Sequence, residues 1–257
     1  MTGCTLAGVD RAAVADRVWR REGVWAAGSP PDTTTDVSWL QLGTWYCDLR
    51  RPAGLAATGG PLPELTREQL LALTEQEAFA GRLRQDGDVW TWTRVVDLHP
   101  PAALPDAGRL ALDGDVLVET GVGREYVERW ADDTPPARTP RLELELRGED
   151  GRAGFLLRLG DHFGYVRDRA APLPPGSALR DLVADSDLVT ARQLLDLEVS
   201  LGVVADGDWR ITSSTLPARV GCRLQPRRER GTSLTVADLS VAGRPVRRRW
   251  LTDPTHP

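Results

Sequence analysis

Four Asp-Gly pairs, Asp86-Gly87, Asp113-Gly114, Asp150-Gly151 and Asp206-Gly207, constrain the fold of this chain more than any other feature. Each separates two strand-like runs: AFAGRLR from VWTWTRVVD, RLAL from VLVET, LELELR from AGFLLRL, and LDLEVSLGVV from WRITSS. Asp-Gly accepts the positive φ of a type I′ hairpin turn, so the pattern predicts antiparallel strands joined in chain order. Such runs number about eight in each half, near residues 17–26, 36–51 (two), 76–84, 88–97, 108–121 (two) and 124–130, then 141–147, 152–159, 162–168, 195–204, 209–215, 218–225, 232–238 and 244–251. Eight antiparallel strands can close on themselves and remove exposed edges. The expected fold is all-β: two tandem antiparallel β-barrels with short helical insertions.

The stretch ADDTPPARTP, residues 131–140, holds three prolines and stops the pattern, which places an N-terminal barrel at 1–134 and a C-terminal one at 135–257. Helical insertions are expected in 53–75, where Gly and Pro are followed by LTREQLLALTEQE (65–77), and in 170–194 as one or two short helices capped by Ser177 or Ser186. The strictest alternation is Leu195, Leu197, Val199, Leu201 and Val203 with Asp196, Glu198 and Ser200 between them. It predicts one buried and one wet face.

A net charge of -5 argues against a general nucleic-acid binder, whose affinity comes from neutralising phosphates. The absence of lysine reads as the codon bias of a GC-rich genome. Two basic runs, Arg227-Arg228-Glu229-Arg230 and Arg247 to Arg249, fit solvated strand edges, with a polyanion-binding face as the alternative. Cys4, Cys47 and Cys222 are odd in number and lack metal-ligand spacing, which suits a reducing compartment. No apolar stretch is long enough for a membrane span, and no secretory signal is evident, so the expected location is the cytoplasm.

The segments VSWLQLGTWYCDLRRP, AFAG, VWTWTRVVD and REYVERW, with a weaker match at DWRITSSTLP, resemble a family of uncharacterised fungal and bacterial proteins made of two lipocalin-like (calycin) barrels. The resemblance covers most of the chain and is densest over 36–130. It implies calycin-type barrels, a class often used for small apolar ligands, and no catalytic residue set.

Alternate residues of a strand share a face, so Tyr46, Asp48 and Arg50 form one set, Trp90, Trp92, Arg94 and Val96 a second, and Tyr126, Glu128 and Trp130 a third. Lining the first barrel, these sets would combine apolar walls with a few fixed polar groups, the chemistry of a ligand pocket, and an arginine there would receive a ligand carboxylate. An internal ion-pair network and an outer face with salt bridges are the competing readings. Gly121-Val122-Gly123 lacks the third glycine and following helix of a dinucleotide site, and His99, His162 and His256 form no zinc pattern. No nucleophile elbow or P-loop is present. The sequence therefore predicts a cytoplasmic binder of a small apolar or amphipathic molecule, with no metal, no cofactor and no nucleic acid, and with a protein partner possible. The alternatives are an interaction scaffold with filled barrels, or a cofactor-free cyclase or isomerase drawing a general acid from Asp48, Asp97 or Glu128 and an anion site from Arg50 or Arg94.

Overall fold

The computed structural model describes residues 8–55, 59–229 and 231–252; Cys4, Arg230 and His256 lie outside these. The first half is a closed antiparallel barrel whose strands pair in chain order: β1 (Arg17–Ala26), β2 (Asp36–Leu42), β3 (Trp45–Arg51), β4 (Glu77–Asp86), β5 (Val89–Asp97), β6 (Ala107–Asp113), β7 (Val116–Gly121) and β8 (Tyr126–Asp132), which returns to β1. The second half is an eight-stranded antiparallel half-barrel made of β9 (Arg141–Gly148), β10 (Ala153–Leu159), β11 (His162–Arg167), β12 (Glu198–Ala205), β13 (Asp208–Ser214), β14 (Arg227–Arg228), β15 (Ser233–Leu239) and β16 (Pro245–Thr252). Its strand order is β13-β12-β11-β10-β9-β16-β15-β14.

The strand expected over 218–225 does not form. Its place is taken by a 3-10 turn, Pro217–Arg219, and a loop in which Gly221 adopts φ +84°. That loop links the free edges, because the Ile211 N–H donates to Cys222 O at 2.9 Å and the Ala237 N–H donates to Leu224 O at 2.7 Å.

The Asp-Gly pairs all lie at turns, but only Asp206-Gly207 has both residues at positive φ, +51° and +80°, as a type I′ turn requires. In β4–β5 and β6–β7 the strands pair at Asp86↔Val89 and Asp113↔Val116, so the glycine is the first central residue, the arrangement of a type II′ turn. The helix Arg67–Leu73 starts with a complete Thr66/Gln69 capping box. Residues 170–194 contain two helices, Leu179–Asp185 and Leu188–Leu194. Ala178 precedes the first without a side-chain cap, and Asp187, rather than a serine, caps the second by accepting from the Thr190 N–H.

Three apolar clusters organise the packing. One fills the first barrel around Trp39, another lines the half-barrel around Trp250, and the third joins the halves. In the shared cluster, outward-facing Leu40, Trp45, Cys47 and Leu49 of the barrel meet Phe155, Leu157, Val166 and Val199, and the Trp45 and Phe155 rings lie 4.4 Å apart. Gly164 makes this approach possible, since a Cβ there would sit 2.3 Å from Cys47 Sγ.

The shared cluster also corrects the reading of β12. Leu195, Leu197 and Val199 do point into apolar packing, but against the first barrel, and Leu201 packs partly on the same cluster. Val203 is half-buried. Asp196, Glu198 and Ser200, expected to be wet, are buried, because the opposite face of this strand is the concave interior of the half-barrel. Ser200 Oγ lies 2.7 Å from Glu198 Oε1 and 2.9 Å from Ser214 Oγ. Val199→Asp and Ser200→Asp should therefore both destabilise the protein, each by roughly 2–5 kcal/mol, the first by burying an unpaired charge and the second by setting a carboxylate against Glu198. Denaturant titration checks this; a neutral Ser200→Asp variant would restore the wet-face assignment.

Candidate binding site

The interior of the first barrel has two storeys. In the lower one Trp39 packs against Trp19, Trp92 and Trp130, with ring centroids 6.3, 5.7 and 5.5 Å away, and Tyr46, Phe79, Leu83 and Trp90 complete the cluster. The short helix Arg11–Val14 closes this end, with Val14 fully buried and its carbonyl accepting from Trp19 Nε1. The upper storey is charged. Glu128 Oε1 accepts from Arg21 Nη1 at 2.8 Å and from Arg50 Nη1 at 3.2 Å, Arg50 Nε donates to Asp48 at 3.0 Å, and Arg21 reaches Asp32 at 2.9 Å. Arg50 lies over both the Phe79 and Trp130 rings.

The β5 strand enters this storey through a β-bulge. Ala80 pairs with Val96 and Gly81 with Arg94, so Val95 is the extra residue. Trp90, Trp92 and Arg94 thus face inward as their spacing predicts, but Val96 does not continue the set. The bulge shifts the alternation by one and turns Val96 into the cluster shared with the half-barrel. Gly81 is required here, since a Cβ would meet Thr93 O at 2.0 Å. The bulge also turns Asp97 toward Arg94, which donates to Asp97 at 2.9 Å and to Asp106 at 2.6 Å while stacking 3.6 Å from the Phe79 centroid. Its carboxylate partners are therefore not Glu128 or Asp48.

Two cavities open here. One, about 440 Å³, lies at the barrel mouth between Arg21, Arg50, Arg94, Tyr126 and Glu128. The other, about 350 Å³, runs from Trp92 and Arg94 beneath Pro101 and Leu104 to Asp168, Arg169 and Leu173 of the second half. Arg94, Asp106 and Arg124 border both. Of the nine residues singled out from the sequence, Arg50, Trp92, Arg94, Tyr126 and Glu128 reach a cavity wall, whereas Tyr46, Asp48, Trp90 and Trp130 lie outside both linings. Tyr46 Oη and Trp130 Nε1 are buried without a hydrogen-bond partner among the described residues.

Arg21, Asp106, Glu119, Arg124 and Arg169 escaped the sequence reading. Glu119 had a signal: it stands two residues after the core residue Leu117 and directly across from Glu128 in the β7–β8 ladder. Its Oε1 receives the Tyr126 hydroxyl at 2.6 Å. Burial, reinforced by the charge of Glu128, pushes the Glu119 carboxyl up to about 8, and burial raises Asp48 to about 6 against the pull of Arg50.

The half-barrel holds a different set of charges. Arg167 contacts Asp196 at 2.8 Å and Asp238 at 3.3 Å, Arg219 contacts Glu198 at 2.8 Å, and Arg248 closes on Asp238 from the rim. Arg167, Glu198, Arg219 and Asp238 are buried, and Trp250 Nε1 donates to Tyr165 Oη beside them. These groups pair with one another, as a structural network does, although Arg167 Nε and Glu198 Oε2 lack a hydrogen-bond partner among the described residues.

No family model matches this chain, and no curated protein matches it. Among solved structures it is similar to the uncharacterized protein YLR301w of Saccharomyces cerevisiae, with a TM-score of 0.51 at 13% identity over 94% of this chain and 99% of that one. The likeness is one of fold.

A carboxyl whose folded pKa is raised binds its proton more tightly in the native state, so Glu119 makes stability fall as pH rises from about 4.5 to about 8. Glu119→Gln keeps an acceptor for Tyr126 and removes this loss. Thermal melts across that window should show a flatter pH dependence for the variant and a higher Tm than wild type at its alkaline end.

Proposed function

We propose that this chain is a two-domain protein of the lipocalin-like family its sequence resembles, with domains at 1–134 and 135–257, acting in the cytoplasm as a binding protein for a small amphipathic molecule. The pocket is assigned to the mouth of the N-terminal barrel and the cleft that continues from it. Among the described residues no helix is long and apolar enough to cross a membrane.

The reading rests on the junction of the two cavities at Arg94, Asp106 and Arg124. On one side of that junction the wall is mostly charged and hydrogen-bonding; on the other, Trp92, Leu104, Pro172 and Leu173 stand beside charged Asp168 and Arg169. Each volume is in the range of small-molecule sites, and the change of chemistry along the path matches a ligand with a polar and an apolar end. Trp92, Arg94, Arg50, Tyr126 and Glu128 are the contacting groups. Tyr46, Asp48, Trp90 and Trp130 support them from below.

One observation favours a second reading, a cofactor-free acid–base enzyme. Burial pushes the Glu119 carboxyl up to about 8 and it accepts a hydrogen bond from Tyr126, which borders the mouth, while Glu128 across the ladder is held by two arginines. An acid with a raised pKa beside a carboxylate held by arginines is the pairing such chemistry uses. Recovery of a ligand unchanged after prolonged incubation separates binder from enzyme.

Native mass spectrometry of freshly purified protein should detect a retained small molecule. Trp92→Ala should lose it and cost roughly 3–5 kcal/mol of stability, since the indole packs on Trp39. Arg94→Met should weaken binding and also stability, because Asp97 and Asp106 would be left without their shared counter-ion. No retained molecule, together with no thermal shift from any amphiphile, would leave the filled-barrel scaffold as the better account.

A further inference from the structure

The charges on the cleft wall are unequally matched. Arg94 is neutralised by Asp97 and Asp106, and Asp168 accepts the backbone N–H of Arg169 at 2.8 Å. Arg169 is only 6% exposed and borders the cavity, yet among the described residues no carboxylate lies within the 4.0 Å of an ion pair from its guanidinium. Its one hydrogen bond runs from Nη2 to Leu98 O at 2.7 Å, and its Nε–H has no acceptor among the described residues. Arg124, at the junction of the two cavities, likewise has no carboxylate within that distance among the described residues. The buried arginines elsewhere in the molecule, Arg21, Arg167 and Arg219, each face one or more carboxylates. A buried guanidinium with no carboxylate in direct contact, attracted by Asp168, Asp97 and Asp196 only from longer range, is costly, and a cavity beside it is where a counter-ion from outside would sit.

We infer that the cleft between the two halves is an oxyanion site, in which Arg169 anchors the carboxylate or phosphate of an amphipathic ligand and Arg124 flanks it from the mouth. The inference rests on the binding reading above and names the chemistry of the ligand's polar end. The apolar end lies against Leu104, Leu173 and Trp92, within about 350 Å³ that suits a tail of medium length. An arginine already spent on protein carboxylates, such as Arg50 or Arg94, does not take this role. The selecting charge comes from the second half of the chain, not from the barrel that holds most of the pocket.

The test uses four probes with one tail, octanoate, octyl phosphate, octanol and octylammonium, titrated into the full chain by calorimetry or by quenching of tryptophan emission. Octanoate or octyl phosphate should bind at least about tenfold tighter than octanol, a difference of about 1.4 kcal/mol, with octylammonium weakest. The stronger of the two anions tells carboxylate from phosphate. Arg169→Met should erase the preference for anions while octanol still binds, and Arg169→Lys should keep part of it. Retained octanol binding shows that the Arg169→Met variant folds; if that variant fails to fold, the same comparison is made with Arg169→Lys and with Arg124→Met, whose side chain is exposed. Equal affinity for all heads, preference for octylammonium, or an anion preference untouched by these variants would overturn the oxyanion site and leave the binding reading standing. Failure of all four probes to bind would overturn both.

Discussion

The contact between the outer wall of the first barrel and the convex face of the half-barrel determines most of what this molecule can do. A free-standing antiparallel barrel is polar outside, but here β3 is buried along most of its length, with Tyr46 and Asp48 facing the interior and Trp45, Cys47 and Leu49 facing the second sheet. Each large side chain removed from water in that seam contributes roughly 1.5–3 kcal/mol, so neither half would keep its surface in isolation. The seam also lays the segment after β11 along the cleft beside the barrel mouth, where Arg169 ties down Leu98 O. The cleft is thus a consequence of how a closed barrel and a curved sheet meet.

Within each half, arginine and carboxylate side chains occupy comparable interior positions but reach different ends. In the half-barrel, Arg167 and Arg219 face Glu198 and Asp238 with Ser200 and Ser214 filling in, so the charges are directed at one another. At the barrel mouth the same kinds of group line the wall and point across open space. The residue types do not distinguish a structural network from a site; the volume left after they have paired does.

The strand pattern of the first half was legible because period-two alternation and Asp-Gly turns act locally, and it placed Tyr46, Asp48, Arg50, Trp90, Trp92, Arg94, Tyr126, Glu128 and Trp130 on inward faces. It failed where a distant contact reset the rule. Val96 changed face at a bulge that brings Gly81 close to Thr93 O, and Glu198 with Ser200 turned out buried because both faces of β12 are covered. Asp106 and Arg169 lie outside the strands, in segments with no periodicity to index them, and Arg169 matters only because the halves meet at Leu98.

The position of the open space follows from filling. An eight-stranded barrel is just wide enough for its own side chains, and Trp39 with three indoles around it, together with Tyr46 and Phe79, packs its lower storey. Volume can survive only where the side chains are long and charged, since pairing holds Arg21, Arg50 and Arg94 against carboxylates on neighbouring strands and away from the barrel axis. With the helix Arg11–Val14 closing the other end, a guest entering by the mouth would pass Arg124. It then meets Trp92 and Leu104 on one side and Arg169 on the other, so the order of chemistry along the entry path is set by the fold before any ligand arrives.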